Sequence, residues 1–403
     1  VLIESELFEI PFRDEHVPHI VIEVNQKCNI SCESCYKDKN TYTKPLDQLK
    51  REIALALELR KISVVTLAGG EPTLHPHLLK LISHIRSLGK DVQIASNGMT
   101  LTEEYLAELK QAQLKEIYVH IDSLQTRPDG KGYKTEKQFN QLRKVITEKI
   151  SRAGIVSSLV ATLYQKNLNE LPDIIDFALD SKDVTRCLFT CSTDFSKIAT
   201  DISSTTILGN CFRSASFSPD PSTGAEEEYQ HGVSLDSIRK ILKEKYNMEP
   251  VSYLGSNLDH KSARWLVYYN FVIKTPEKNF VLNIGPSFGA VVEKNINDKI
   301  GKNKAISFGK VLDQKSAVLF CLYYAWASRS LKVMSETLSF LFKLLKKDAE
   351  IHYKDFTFQQ GPELHADGSF EICRSCPDAT IRDGVLVPVC LADSLVKKNP
   401  LKA

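Results

Sequence analysis

The 403-residue sequence predicts an α/β fold, a partial (β/α)6 barrel followed by a smaller α+β domain. Between residues 19 and 190 short β-branched runs alternate with longer stretches of helical period, the pattern of parallel strands joined by crossover helices. Beyond about residue 192 that alternation stops. Length gives a third reason, because single hydrophobic cores stop growing at roughly 250–300 residues and longer chains divide.

The expected strands are His19 to Val24, Ile62 to Leu67, Asp91 to Ser96, Ile117 to Ile121, Ile155 to Thr162 and Val184 to Thr190. Helices fill the gaps. Pro45 and Asp47 open the stretch Leu46 to Lys61, Pro76 opens the next, and Thr102 with Glu103 and Glu104 places acids in a first turn, where free N–H groups favour negative charge. Six such units curve into an incomplete, TIM-like barrel, and barrels of this kind gather their chemistry where strands end and loops begin. Residues 192 to 232 are rich in Ser, Thr, Asp, Gly and Pro and read as a linker or loop. After it, 234 to 245 read as a helix, 265 to 292 as strands and 314 to 347 as one long helix. The expected division is therefore an N-terminal extension (1–18), the barrel (19–195), a linker or loop (196–232) and a C-terminal domain (233–403).

Composition narrows the function classes. Hydrophobic residues are 42% and charged residues 25%, which excludes a disordered chain. Lys plus Arg is 52 against 50 for Asp plus Glu, so no global basic field exists to gather nucleic acid, and no nucleic-acid partner is expected. The opening residues carry acids where a secretory signal would carry positive charge, which points to a cytoplasmic location. The ten cysteines include two tight triplets near opposite ends, and in a chain of this length that pattern suggests metal ligation rather than a disulfide scaffold.

The first triplet, Cys28-x3-Cys32-x2-Cys35, directly follows the first expected strand. Three thiolates on one short loop leave one corner of a four-iron cluster open to another ligand. A zinc site wants four ligands, and the nearest further candidates, His16 and His19, precede the strand. The run Cys28-Asn29-Ile30-Ser31-Cys32-Glu33-Ser34-Cys35-Tyr36 resembles the signature of the radical S-adenosylmethionine (SAM) superfamily, aromatic Tyr36 included. Ala68-Gly69-Gly70-Glu71-Pro72, at the end of the second strand, resembles the Gly-Gly-Glu segment of that family, whose backbone approaches the amino group of SAM. Ser96 and Asn97 end the third strand and Asp122 and Ser123 follow the fourth; they resemble family positions that face the cofactor, although Asn-Gly and Asp-Ser pairs also favour plain turns. Cys191, after the sixth strand, is a candidate to face the substrate or donate hydrogen.

The second triplet is Cys373-x2-Cys376-x13-Cys390, with Asp-Gly turns at Asp367-Gly368 and Asp383-Gly384 leading strands toward Cys373 and Cys390. Its spacing resembles the auxiliary-cluster domain of the radical SAM cyclase that acts on GTP in molybdenum-cofactor biosynthesis. The Gly-x4-Cys at Gly368 is similar to the SPASM and twitch domains. The resemblance implies a second [4Fe–4S] cluster, with its fourth iron open or closed by a distant residue such as Cys211 or Cys321; zinc is the alternative. The GTP cyclase itself is not implied, because its Gly-Gly tail is missing and a long segment separates barrel and triplet.

By the same resemblance, SAM is cleaved reductively to a 5′-deoxyadenosyl radical that takes a hydrogen from substrate, with the electron coming from a donor such as flavodoxin or ferredoxin. The substrate expected is a small biosynthetic metabolite or a lipid-like molecule. A peptide ranks last, since only eighteen residues precede the first strand. A non-catalytic iron–sulfur carrier is the reading from another class. The apolar run Ala317 to Ala327 is too short for a bilayer, which takes about 20 apolar residues, so no transmembrane segment is expected. A core helix is the plain reading of that run; a wall for a lipid-like substrate or a peripheral membrane face is the other.

Overall fold

The structure is a computed structural model that describes residues 7–37, 41–193, 205–208, 211–215, 232–306, 312–364 and 370–393, with backbone alone at 205–208, 211–215, 364 and 370. The first half builds β1 (Phe8–Glu9), β2 (His19–Asn25), β3 (Ser31–Cys32), α1 (Leu46–Leu59), β4 (Val64–Gly69), α2 (Leu78–Ser87), β5 (Asp91–Ser96), α3 (Glu103–Gln111), β6 (Glu116–His120), β7 (Gln125–Thr126), α4 (Glu136–Arg152), β8 (Val156–Leu163), α5 (Leu171–Asp180) and β9 (Val184–Cys191). There follow β10 (Thr205–Leu208), β11 (Cys211–Ala215), α6 (Leu235–Tyr246), β12 (Ser252–Gly255), β13 (Ala263–Lys274), β14 (Asn279–Asn283), α7 (Gly289–Gly301), α8 (Gln314–Ala327) and α9 (Leu331–Leu341). The chain closes with β15 (Glu350–Gln359), β16 (Glu363–Leu364), β17 (Phe370–Glu371), β18 (Ala379–Arg382) and β19 (Val385–Pro388).

All six expected parallel strands form, in the order β2-β4-β5-β6-β8-β9. Both faces of such a sheet are covered, which is why β2 is buried at every position. Helix starts follow the sequence signals. Thr102 accepts from the Tyr105 N–H, and Thr135 with Gln138 closes a capping box on α4.

The sheet continues past β9. Strand β15 adds parallel to it in the register Asp355 opposite Arg186 to Gln359 opposite Thr190. Antiparallel β13 follows, carrying β12 and β14 on its far edge, and β1 ends the sheet of eleven strands. Phe189 and Phe358 stack at 4.7 Å across the junction, with Tyr268 edge-on to Phe358 at 5.6 Å. Aromatic pairs of this kind add about 1 kcal/mol beyond their burial, so the seam is held by side chains as well as by the ladder.

Three expected elements differ. Part of the stretch read as a linker forms a hairpin, β10 with β11, which joins β19 and β18 in a second sheet. Of 265–292, the strands end at Asn283; Pro286 opens a 3-10 turn that runs into α7. The long helix at 314–347 is two helices: Arg329 takes a left-handed backbone (φ 50°), and the Ser330 hydroxyl accepts from the Val333 N–H to start α9. The apolar spacing carries across the break, which is why periodicity alone did not show it. At 383–384 the expected turn is present, with Asp383 and Gly384 both at positive φ between paired Arg382 and Val385. Asp367 and Gly368 lie outside the described residues.

Candidate active site

The first triplet sits on the loop that leaves β2, and neighbouring strand ends fix that loop. The Gly70 N–H donates to Asn25 O (2.9 Å) and the Glu71 N–H to Lys27 O (2.7 Å). A Cβ at Gly69 would lie 2.3 Å from Asn25 O, and one at Gly70 would lie 2.2 Å from Lys27 O. The two glycines are therefore required by the approach of one strand end to the cysteine loop, a reason the sequence did not reveal. Further along, β3 pairs with β7, placing Cys32 opposite Gln125, and the Ser34 N–H donates to the Tyr164 hydroxyl at 3.2 Å.

Glu71 is 1% exposed and accepts from four donors: the Thr73 N–H and hydroxyl, the Ser96 hydroxyl (2.8 Å) and the Asn97 N–H (2.7 Å). Burial still raises its carboxyl above the usual range. Asn97 reaches the triplet itself, its amide nitrogen lying 3.8 Å from Cys28 Sγ and 2.7 Å from Asn29 Oδ1. Tyr36 packs with Val21, Ala68 and Val389, the last of these adjacent to Cys390. Asp122 is buried, with its carboxylate accepting from the Leu124 N–H (3.0 Å) and facing His120 Nε2 at 3.0 Å; the Ser123 N–H donates to Glu136 at 2.8 Å.

The second-triplet segment docks beside the start of β2 and the end of α1. Ser375 turns the chain between Cys373 and Cys376 at φ 47°, Arg60 donates to Cys376 O at 2.7 Å, and Asp378 meets His19 Nε2 at 2.8 Å. A buried group of charges ties the two cysteine segments together. Lys37, two residues after Cys35, meets Glu23 (2.6 Å) and Asp393 (2.8 Å), and Arg382 meets the same two carboxylates at 2.5 and 2.8 Å.

One cavity of about 630 Å³ is lined by all six of these cysteines, and by Tyr36, Gly69, Gly70, Glu71, Ser96, Asn97 and Cys191. Asp122 and Ser123 are not among its lining residues. Cys191 is buried, which pushes its thiol up to about 12 and keeps it protonated. Cys321 packs in a separate core cluster with Phe271 and Phe340 and does not line the cavity, so it is no ligand for the second triplet. The Cys211 backbone pairs beside Leu386 on β19; its side chain is outside the described residues.

Sequence reasoning missed the polar strip of this cavity. Arg186 is held by both oxygens of Glu116 (2.8 and 2.7 Å), and Asp355 of β15 lies opposite it. Burial pushes the Asp355 carboxyl up to about 6 even against the Arg186 charge. Charged residues inside β-branched runs were the available signal, since a strand buried on both faces rarely carries them without partners. Much of the remaining wall is apolar and aromatic, with Trp265, Val267, Tyr269, Phe288, Ile296 and Phe320.

The donor chemistry suits an iron–sulfur cluster. Burial raises the Cys28 and Cys32 thiols, and ionising either opposes ionisation of its neighbours, so a deprotonated triplet needs cationic metal to hold it. At the second triplet the Cys376 thiol hydrogen-bonds the Cys373 sulfur and lowers its pKa, while Cys376 itself is raised. Among the described residues, no three His, Cys, Asp or Glu side chains converge closely enough to hold a metal ion as they stand. Three thiols on each segment are the donor count of a cluster site with one iron open, and one short of the four ligands a structural zinc takes.

The strand order and the cavity define an α/β barrel-type protein in which two cysteine triplets open on one cavity. Residues 22–178 match the Radical SAM superfamily, so the chain carries a radical SAM domain. It is similar to 7,8-dihydro-6-hydroxymethylpterin dimethyltransferase of Methanocaldococcus jannaschii, 33% identical over 41% of this chain and 34% of that protein. The probable GTP 3′,8-cyclase of Pyrococcus abyssi is 31% identical over 40% of this chain and 53% of its own length. Among solved structures, Streptococcus suis SuiB bound to S-adenosylmethionine is a distant likeness, with TM-score 0.35 and 18% identity over 46% of this chain and 41% of that one. The chain thus spans between a third and just over half of these curated relatives, and the family match ends before the second triplet.

Proposed function

We propose that the chain is a radical SAM enzyme acting on a substrate with a long apolar part and a polar group, held between two iron–sulfur clusters. Cys28, Cys32 and Cys35 would hold the [4Fe–4S] cluster that takes SAM, and Cys373, Cys376 and Cys390 a second, auxiliary [4Fe–4S] cluster. Bound there, and given one electron from a flavodoxin- or ferredoxin-type donor, the cofactors would supply the reductive cleavage of SAM and the removal of a substrate hydrogen by the resulting 5′-deoxyadenosyl group. The observation that carries this reading is the single cavity onto which both triplets open.

The chain's own residues orient and shield. Gly69, Gly70, Glu71 and Ser96 set the backbone beside the cysteine loop, and Asn97 offers an N–H to Cys28 Sγ. Such hydrogen bonds to ligand sulfur are among the levers that tune a cluster. Tyr36 walls the cavity next to the loop. Arg186 and Asp355 would receive the substrate's polar group, the aromatic wall its apolar part, and Cys191, a neutral thiol in the same wall, would face a substrate carbon. Exclusion of water by these walls protects reactive intermediates.

Anaerobic reconstitution tests the reading. Two clusters require about eight irons per chain, and a Cys373→Ala, Cys376→Ala variant about four. With SAM and dithionite, 5′-deoxyadenosine should form in the parent and not in Cys28→Ala. Iron bound without 5′-deoxyadenosine would mark a redox carrier instead, and zinc in place of iron would end the proposal.

A further inference from the structure

From Ala317 to Ala327 helix α8 is apolar at every position, yet only one face is covered. Ala317, Cys321, Tyr324 and Ala325 are buried, whereas Leu319 and Trp326 are 65% and 74% exposed. The exposure continues over the break into α9 and the turn after it, with Leu331 at 79%, Phe342 at 67% and Leu345 at 81%. Among the described residues, nine of the fourteen exposed large hydrophobic side chains lie between 319 and 345. Scattered apolar side chains on a surface are ordinary; a concentration of this kind marks a face that meets something apolar.

Charge says what. From 315 to 347 the basic residues are Lys315, Arg329, Lys332, Lys343, Lys346 and Lys347, against Glu336 as the acid, in a chain otherwise near balance. Of the nearby carboxylates, Glu277 meets Lys346 at 3.0 Å, and Asp313 and Asp348 stand at the two ends of the segment. A second copy of this chain would bring the same basic rim against itself across a two-fold axis, where like charges repel. Anionic headgroups neutralise that rim, and Tyr323 with Trp326, stacked at 5.9 Å, are the residue types that settle at a headgroup boundary. Neither helix can cross a bilayer, and no helix among the described residues is long and apolar enough to do so. The face also adjoins the cavity: Leu312 and Phe320 line it from the same segment.

We infer that α8, α9 and the turn after them form a membrane-docking face that lies on an anionic lipid surface. The apolar side chains enter the headgroup boundary, the basic rim pairs with lipid phosphates, and the α8 wall of the cavity stands next to the bilayer. The inference is independent of the radical chemistry, since docking needs neither SAM nor an electron.

Co-sedimentation of the full chain with sucrose-loaded vesicles tests it, using phosphatidylcholine with and without phosphatidylglycerol. Partitioning onto the anionic vesicles should be at least about tenfold higher and should weaken with salt. Trp326→Ser with Leu331→Ser should abolish binding while leaving the far-UV circular dichroism unchanged. Lys332→Glu with Lys347→Glu should abolish the preference for anionic lipid. Absence of vesicle binding by the folded parent overturns the inference, as does a stable dimer in sedimentation velocity that Leu331→Ser dissociates.

Discussion

Asp355 enters the cavity wall from β15, beside Arg186, and its raised pKa fixes a direction of pH dependence. The carboxyl titrates near 3.8 when free and at about 6 in the fold, so the folded chain holds the proton more tightly. The cost of ionising it is absent below about pH 4, grows as pH rises, and is complete above about pH 6. A shift of this size corresponds to about 2–3 kcal/mol. Asp355→Asn is therefore expected to be more stable than the parent at pH 7 and no more stable near pH 4, read from urea midpoints at the two values. Glu71 shows the opposite use of a buried carboxylate, since its four donors tie two strand ends together and leave it little to offer a ligand.

Elements carrying the two triplets are joined by charge as well as by packing. Lys37 and Arg382 share Glu23 and Asp393, and all four side chains are at most 13% exposed. Removing one member of a buried network strands the others in a poor solvent for charge. Asp393→Ala is accordingly expected to cost about 3–5 kcal/mol, with the loss detected in urea unfolding and in faster hydrogen exchange at the Cys390 segment. The sequence marked both cysteine segments and did not show this link, because residues more than 350 positions apart leave no periodic trace of their contact.

At the scale of the whole molecule, the barrel strands continue through β15 into β13, β14, β12 and β1 as one sheet. The outer edge of β9 is covered by β15, including Phe189 under Phe358. A fragment ending at residue 195 would bare that edge as a template for intermolecular pairing. It is expected to elute as aggregate in size-exclusion chromatography under conditions where the full chain elutes as a discrete species. The second triplet, carried beside the separate sheet of β10, β11, β19 and β18, opens on the same cavity as the first, so the proposed chemistry belongs to the assembled chain and not to the radical SAM domain alone.

The sequence by itself determined the six parallel strands, the capped helices between them and the first cysteine loop at a strand end, because these depend on side-chain period and on spacing along a short stretch of chain. Tertiary structure alone decided the seventh parallel strand, the meeting of six cysteines at one cavity, the close backbone approach that requires Gly69 and Gly70, and the break that leaves the α8 and α9 face open. Periodicity tells which side of an element is apolar; what covers that side is set by which distant segment arrives there, and that is a property of packing in three dimensions.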